Sequence, residues 1–407
     1  MSHKILQLTN GIKLVHQQTD SPVSHFGILI NAGTRDEDEN KSGIAHFVEH
    51  TIFKGTTHRK NYQILRRMED VGGDLNASTS KEETWFHSSF LSSDYKRAVE
   101  LLSDILFYPI FPEKELEKEK DVVYEEIKYY KDTLSELIFD DFEAQIFKNH
   151  PLGRSILGTK ASVKKISRKD IYEFVKQQYT LSNVMLSSVG NISVDRLYKL
   201  CDRHFGTNKM VDFERDRTSF SNYIPQKALI HKNSSQTHLM VGIPAYSIYD
   251  PKRIPFLLLT NLLGGQGLNT RLNMVLREKM GLVYTVESSY SQFTDSGIFS
   301  IYAGCDNGLS NKCIDLIYKE LIKLKNEKLG TLQLHFAKKQ YIGQMALSNE
   351  SKLNEMLANG RQGLFFDTIE TFEEAIAIIE SITADALLEV ANEIYDIEQF
   401  STLVYTK

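Results

Sequence analysis

The stretch SGIAHFVEHTIFKGT, Ser42 to Thr56, sets two histidines four residues apart inside an apolar run, His46-Phe47-Val48-Glu49-His50. Ser42 reads as the start of a helix and Gly55 as its stop, and on a helix positions i and i+4 rise from one face a turn apart. Two imidazoles so placed can grip a single ion. Ile44, Val48 and Ile52 surround them, so polar groups sit within an otherwise apolar helix and need partners there. Catalytic zinc takes imidazole nitrogens and a carboxylate oxygen and leaves one position open, so another protein ligand is required. Glu49 could supply it, but three residues after His46 and beside His50 it is better placed as a general base, taking a proton from the water that attacks a polarised carbonyl. The remaining ligand is then a carboxylate on another element. The helical pattern from Glu117 to Tyr130 offers Glu119, Glu125 and Glu126 around the apolar pair Val122 and Val123, with Glu119 and Glu126 two turns apart on one face.

Upstream of this helix, SHFGILINAG (Ser24 to Gly33) alternates as a strand. Downstream, Ile64, Leu65, Met68 and Val71 give a helix over 61–71 before Gly72-Gly73, and two strands are expected in DLNASTS and ETWFHSSFL. Three more helical patterns follow in DYKRAVELLSDILF, PEKELEKEKDVVYEEIKYYKD and LSELIFDDFEAQIFK, the second opened by Pro112, and NVMLSSVGN reads as a closing strand. The polar stretch from Gly206 to Gln226 is the expected linker, dividing the chain into domains 1–212 and 213–407. The second half opens as the first does: KALIHKNSSQTHLMVGIPAYS repeats the shape of IKLVHQQTDSPVSHFGILINAG. Where the first half continues into its histidine-bearing helix, the second continues into IPFLLLTNLLGGQG (Ile254 to Gly267), apolar and without a histidine. The fold class expected is α+β, two duplicated α/β layer sandwiches, with the metal residues in the first alone.

Bulk properties agree with two substantial domains: 407 residues, 41% of them hydrophobic, are enough for two cores. A net charge of -5 with the cations scattered among acids argues against a nucleic-acid partner. Cys201, Cys305 and Cys313 show no paired spacing and read as free thiols. No window approaches the roughly 18 apolar residues of a membrane span. MSHKILQLTNGIKLVHQQ lacks the features of a secretory or transit segment, so a soluble, cytoplasmic protein is expected. His58, His87, His150 and His238 fall outside the metal spacing and read as surface or structural histidines.

The inverted His-x-x-Glu-His order within GIAHFVEHTIFKGT resembles the pitrilysin family of metallopeptidases, the inverted zincins. The segments GGDLNASTSKEET, PLGRSILGT (Pro151 to Thr159), NVMLSSVGN and LREKMGLVYTVESS resemble that family's segments in the same order. The resemblance implies zinc held by His46, His50 and Glu126, the last in VVYEEI, with Glu125 as the fallback ligand and Glu119 supporting the site from behind. It implies that Asn76 and Ala77 belong to an open edge strand on which substrate lies extended. Arg277 and Tyr284, in LREKMGLVY, match a substrate-binding pair: Tyr284 would donate to the oxyanion, and Arg277 would bind substrate backbone or hold the tyrosine. GGQGLNTRL (Gly264 to Leu272) resembles a short family glycine loop and is no phosphate loop, since no Gly-Lys-Ser/Thr follows. Relatives of this length work as dimers enclosing a chamber, which implies a homodimer, or a heterodimer with a related subunit, whose zinc site is completed by the partner's arginine and tyrosine. The activity implied is hydrolysis of unfolded or short peptides. The alternative is a non-catalytic or partner-dependent subunit of the same family. Manganese or cobalt would suit the same nitrogen and oxygen ligands, with zinc the first expectation.

Overall fold

The computed structural model of the chain describes residues 5–213 and 215–407. The first four residues of the N-terminal reading, and Glu214 within the linker reading, lie outside these. Among the described residues eleven strands form two sheets. The first has the order β1-β2-β6-β3-β5-β4, built from β1 (Ile5–Gln7), β2 (Lys13–Gln18), β3 (Val23–Ile30), β4 (Asn76–Thr79), β5 (Thr84–Leu91) and β6 (Val184–Gly190). The second has the order β7-β11-β8-β10-β9, from β7 (Lys227–His231), β8 (Thr237–Ala245), β9 (Val283–Gln292), β10 (Gly297–Cys305) and β11 (Ser401–Thr406). In each sheet one pair is parallel, β2 with β6 and β7 with β11, and the other pairings of the shared five-strand plan are antiparallel. The mixed, duplicated α+β architecture expected from the sequence is present.

Helices of the first half follow the apolar periodicity: α1 (Ile44–Thr51), α2 (Asn61–Glu69), α3 (Tyr95–Phe107), α4 (Glu113–Asp132) and α5 (Leu134–Ile146). Ser42 is not the cap of α1. Gly43 takes that position at φ 92°, which glycine adopts without strain, and the Glu37 carboxylate accepts from the N–H groups of Gly43 (2.9 Å) and Ala45 (2.8 Å). A side chain at Gly43 would also meet the Leu157 carbonyl at 2.7 Å. Past Thr51 the helix tightens into a 3-10 turn, Ile52–Lys54, that ends at Gly55.

The division at 212/213 does not describe the compact units. Unit 1 comprises the chain up to Ile127, Arg154–Arg217 and Ala346–Phe372; unit 2 comprises Lys128–Gly153, Thr218–Met345 and the chain from Glu373. Each half of the sequence therefore lends a helix to the other half's sheet. In unit 1 the helix Lys352–Phe365 crosses β3 and β6, where Met356 packs with Leu29, Trp85, Met185 and Val189. In unit 2, α5 crosses β8 and β11, where Ile138, Phe142 and Ile146 pack with Met240, Leu403 and Tyr405. Fully burying one such Phe or Met side chain contributes roughly 1.5–3 kcal/mol. Each crossing is admitted by a glycine at mid-strand: a Cβ on Gly27 would lie 3.2 Å from Met356, and one on Gly242 2.9 Å from Phe142.

The opposite face of the first sheet carries the core in which Phe26, Ile28 and Phe86 meet Ile44, Phe47 and Val48 of α1. The corresponding face of the second sheet carries Val241, Phe299 and Ile301 against Phe256, Leu259 and Leu263 of the helix Arg253–Gly264. Cys201, Cys305 and Cys313 are buried free thiols. Among the described residues no helix is long and apolar enough to cross a membrane.

Candidate metal centre

Helix α1 presents His46 and His50 from one face, their rings 4.5 Å apart. Helix α4 buries Leu116, Glu119, Val123 and Ile127 along one side, and this brings Glu126 to the imidazoles. Glu126 Oε2 stands 3.7 Å from His46 Nε2 and 3.4 Å from His50 Nε2. One ligand atom from each of the three residues lies within 4.8 Å of the others, the only such metal-competent group among the described residues. Glu126 Oε2 is buried without a hydrogen-bond partner, as a carboxylate oxygen aimed at a cation would be. Two imidazole nitrogens and one carboxylate oxygen form a donor set that fits zinc. Glu125 is exposed on α4 and stands outside the cluster, so the choice that spacing left open falls on Glu126.

Behind His50, Glu119 Oε1 lies 3.0 Å from Nδ1, and Lys54 Nζ lies 2.6 Å from Glu119 Oε2. This chain of contacts fixes the ring and places its Nδ1 proton toward Glu119, leaving Nε2 to face Glu126. Glu119 is buried, not a solvated helix residue. Burial pulls its carboxyl up, but His50 and Lys54 outweigh that and hold it below the usual range. Burial also works to lower His50, yet Glu119 and Glu126 prevail and raise it to about 9. Burial, with His50 adding to it, pushes His46 down to about 4. Its Nδ1 is buried without a protein partner.

Glu49, half-buried on the same helix, is raised above the ordinary carboxylate range by burial, against the influence of the Thr79 hydroxyl and of His50. A carboxyl tuned upward beside a metal-competent group is suited to take up and release a proton. Thr79 is the last residue of β4, which packs along α1. β4 is an edge strand paired with β5 alone, in the register Asn76 to His87, Ala77 to Phe86 and Thr79 to Thr84. Strand alternation turns Ala77 and Thr79 toward the core shared with Phe86, while the exposed Asn76 side chain lies on the other face.

Arg277 and Tyr284 belong to unit 2, whereas His46, Glu49, His50 and Glu126 belong to unit 1. Arg277 is exposed on the short helical segment Asn273–Lys279. Tyr284, 58% exposed on β9, donates to Asp306 Oδ1 at 3.1 Å, and that acceptor raises its phenol. Sequence reasoning missed Lys54, Thr79 and Asp306. Lys54 had a signal, since it follows His50 by four residues. The other two are brought in by sheet pairing and carried none. His58 lies 2.6 Å from buried Asp104, His150 contacts the Thr218 carbonyl at 2.9 Å and His238 contacts Tyr302 at 2.9 Å, all structural pairings.

The family model described as insulinase (peptidase family M16) matches residues 13–160, and that described as peptidase M16 inactive domain matches residues 165–341. An uncharacterized zinc protease, YmxG, of Bacillus subtilis is 31% identical over 391 residues, covering 95% of this chain and 94% of the relative. The beta subunit of mitochondrial-processing peptidase from Bos taurus is 28% identical over 411 residues, covering 97% and 82%. A crystal structure of a protease from Helicobacter pylori shares the fold over 100% of both chains, with a TM-score of 0.92 at 23% identity. By the extent of these matches, the chain belongs to the insulinase family of peptidases, family M16.

Proposed function

We propose that this chain is a zinc-dependent endopeptidase or oligopeptidase that hydrolyses unfolded or short peptides. The observation that carries the reading is the convergence of His46, His50 and Glu126 with Glu49 beside them and an open strand running along the same helix. Relatives across 95% of the chain are named zinc proteases, which supports zinc as the metal. His46, His50 and Glu126 would hold it, and zinc there supplies a Lewis acid for the scissile carbonyl. Glu49 takes the proton of the attacking water and returns it to the departing amide nitrogen, a double duty to which a raised carboxyl is suited. Glu119 and Lys54 keep His50 oriented throughout.

Substrate would add to the free edge of β4, at Asn76 and Ala77, by main-chain pairing that gives affinity with little sequence preference. Tyr284 would donate to the oxyanion and Arg277 would bind substrate backbone, both from the exposed positions described above. A dimer, of two copies or with a related subunit, would enclose the site and let one chain's Arg277 and Tyr284 serve the other's metal.

The deciding experiment compares wild type with Glu49→Gln in zinc content and in cleavage of a quenched peptide library. The expected result is about one zinc in both, with kcat at least ~100-fold lower in the variant. Wild type that holds zinc and cleaves nothing alone, but gains activity with a related subunit, would make the chain the partner-dependent member of a pair. Zinc lost in Glu49→Gln would make Glu49 a ligand rather than the base.

A further inference from the structure

The segment between the two halves is polar in sequence, yet two of its arginines are drawn into unit 1. Arg215 and Arg217, two residues apart in a stretch without helix or strand, reach the same carboxylate, Asp36, whose side chain is 1% exposed. Arg217 lays its fork across it, Nε to Oδ1 at 2.8 Å and Nη2 to Oδ2 at 2.8 Å. Its Nη1 stands 3.2 Å from Glu82 Oε1, which also receives Arg35 Nη1 at 2.7 Å, and its Nη2 lies 3.4 Å from the Glu82 carbonyl. Arg215 stands 3.7 Å from Asp36 and donates to the carbonyl of Asn31. Asp36 completes its set by accepting from the Gly33 N–H at 3.0 Å.

The two acids belong to the two segments that frame the metal centre. Asp36 lies in the loop leading from β3 to α1, next to the Glu37 that caps α1; Glu82 lies in the turn joining β4 to β5. Backbone bonds already link loop and turn, Thr34 N–H to the Ser80 carbonyl at 3.1 Å and Arg35 N–H to the Lys81 carbonyl at 2.8 Å. They approach so closely that a Cβ on Gly33 would lie 2.3 Å from the Ser80 oxygen. β4 has four residues and one neighbour, so its alignment along α1 depends on how firmly this turn is anchored. A planar arginine fork fixes direction as well as charge, which an ammonium does not. An edge strand that must be ordered before a peptide pairs with it binds that peptide more weakly.

We infer that Arg217, assisted by Arg215, is a positioning residue for the peptidase: its fork pins the β4–β5 turn to the loop before α1 and holds β4 in the alignment in which a peptide adds to it beside Glu49. The inference rests on β4 being the peptide-binding edge proposed above. Its test uses the full zinc-loaded chain as wild type, Arg217→Gln, Arg217→Lys and Arg215→Gln. Backbone hydrogen exchange is followed over residues 76–83, with β10 as the internal reference, beside KM, kcat and zinc content.

Arg217→Gln is expected to exchange about tenfold faster over 76–83 with β10 and zinc unchanged. Its KM should rise about fivefold while kcat stays within about twofold of wild type. Arg217→Lys should fall between, and Arg215→Gln should show the smaller effect. Wild-type exchange over 76–83 in Arg217→Gln overturns the inference whether or not the chain cleaves peptides. Faster exchange with KM unmoved overturns it too, as does exchange raised throughout unit 1 with zinc lost, the mark of a merely structural role. A wild type that holds zinc and cleaves nothing, alone or with a related subunit, sinks the peptidase reading, and the positioning role with it, even where the exchange changes as expected.

Discussion

Strand for strand, β2-β6-β3-β5-β4 of unit 1 and β7-β11-β8-β10-β9 of unit 2 follow one plan, down to the parallel outer pair, but the helices packed beneath them differ in kind. In unit 1, α1 buries His46 and half-buries Glu49 and His50 beside β4. In unit 2 the helix Arg253–Gly264, packed beside β9, buries Phe256, Leu258, Leu259 and Leu263. The scaffold tolerates both because the sheet sets the helix position through its apolar side. A metal centre thus needs three donors and their supports, not a different fold. The description of the second matched region as an inactive domain accords with the metal-competent group found among the described residues, which lies in unit 1.

The largest expected effect comes from making α1 resemble its counterpart. His50→Ala removes one imidazole and its Glu119 contact, and zinc content and peptide hydrolysis should both fall to background while the circular dichroism of the folded chain persists. Retained zinc would mean that the metal sits elsewhere. Next, Glu119→Gln keeps the shape but weakens the hold on His50. Zinc affinity, read by chelator competition, should drop about 10–100-fold. An unchanged affinity would reduce Glu119 to a structural ion-pair partner of Lys54.

The two crossing glycines give a smaller, paired comparison. In Gly242→Ala the new Cβ would meet the Phe299 carbonyl at 2.3 Å, a backbone atom, and a cost of about 1–3 kcal/mol is expected. In Gly27→Ala it would meet the His87 Cβ at 3.0 Å and the flexible Met356 end at 3.2 Å, so the cost should be below about 1 kcal/mol. Denaturant titration of both variants checks the order, and equal costs would show that the two crossings yield alike.

The smallest effect separates two helix starts by pH. In unit 1 the helix Arg168–Gln178 is capped by Ser167, with Asp170 returning to the Ser167 N–H and pairing with Lys41 at 2.5 Å. In unit 2 the helix Ala384–Ile394 is capped by Thr383 and has Ala386 where the box would place a carboxylate. Burial pulls Asp170 up, but Lys41 and Ser167 outweigh it and lower it to about 2. A folded value below the unfolded one means stability that is present above about pH 4 and lost as pH falls toward 2. Asp170→Asn should therefore cost about 1 kcal/mol or less near neutrality, the pair being partly solvated, and progressively less as pH falls from about 4 toward 2. A gap that does not shrink between about pH 4 and pH 2 would trace to the amide substitution itself.

Much of the fold could be read because it is written in local periods. The alternation of SHFGILINAG became β3, the i, i+4 histidines came to one face of α1, and the pattern around Val123 turned Glu119 and Glu126 inward together. The linker reading was half informative: residues 207–213 and 215–226 carry no helix or strand, yet Arg217, in so polar a stretch, is half-buried and paired with Asp36 and Glu82. A charge run looks the same in sequence whether water or a buried acid answers it.

The sequence alone determined which elements form, that the chain is duplicated, and which half holds the metal-competent residues, because helix and strand periods and motif spacing act over a few residues. Only the tertiary structure decided which helix crosses which sheet, that Lys54 backs Glu119 behind His50, and that Thr79 stands beside Glu49, Asp306 beside Tyr284 and Arg217 beside Asp36. Those neighbours are set by packing between segments tens to hundreds of residues apart, and no fixed spacing along the chain encodes such a contact.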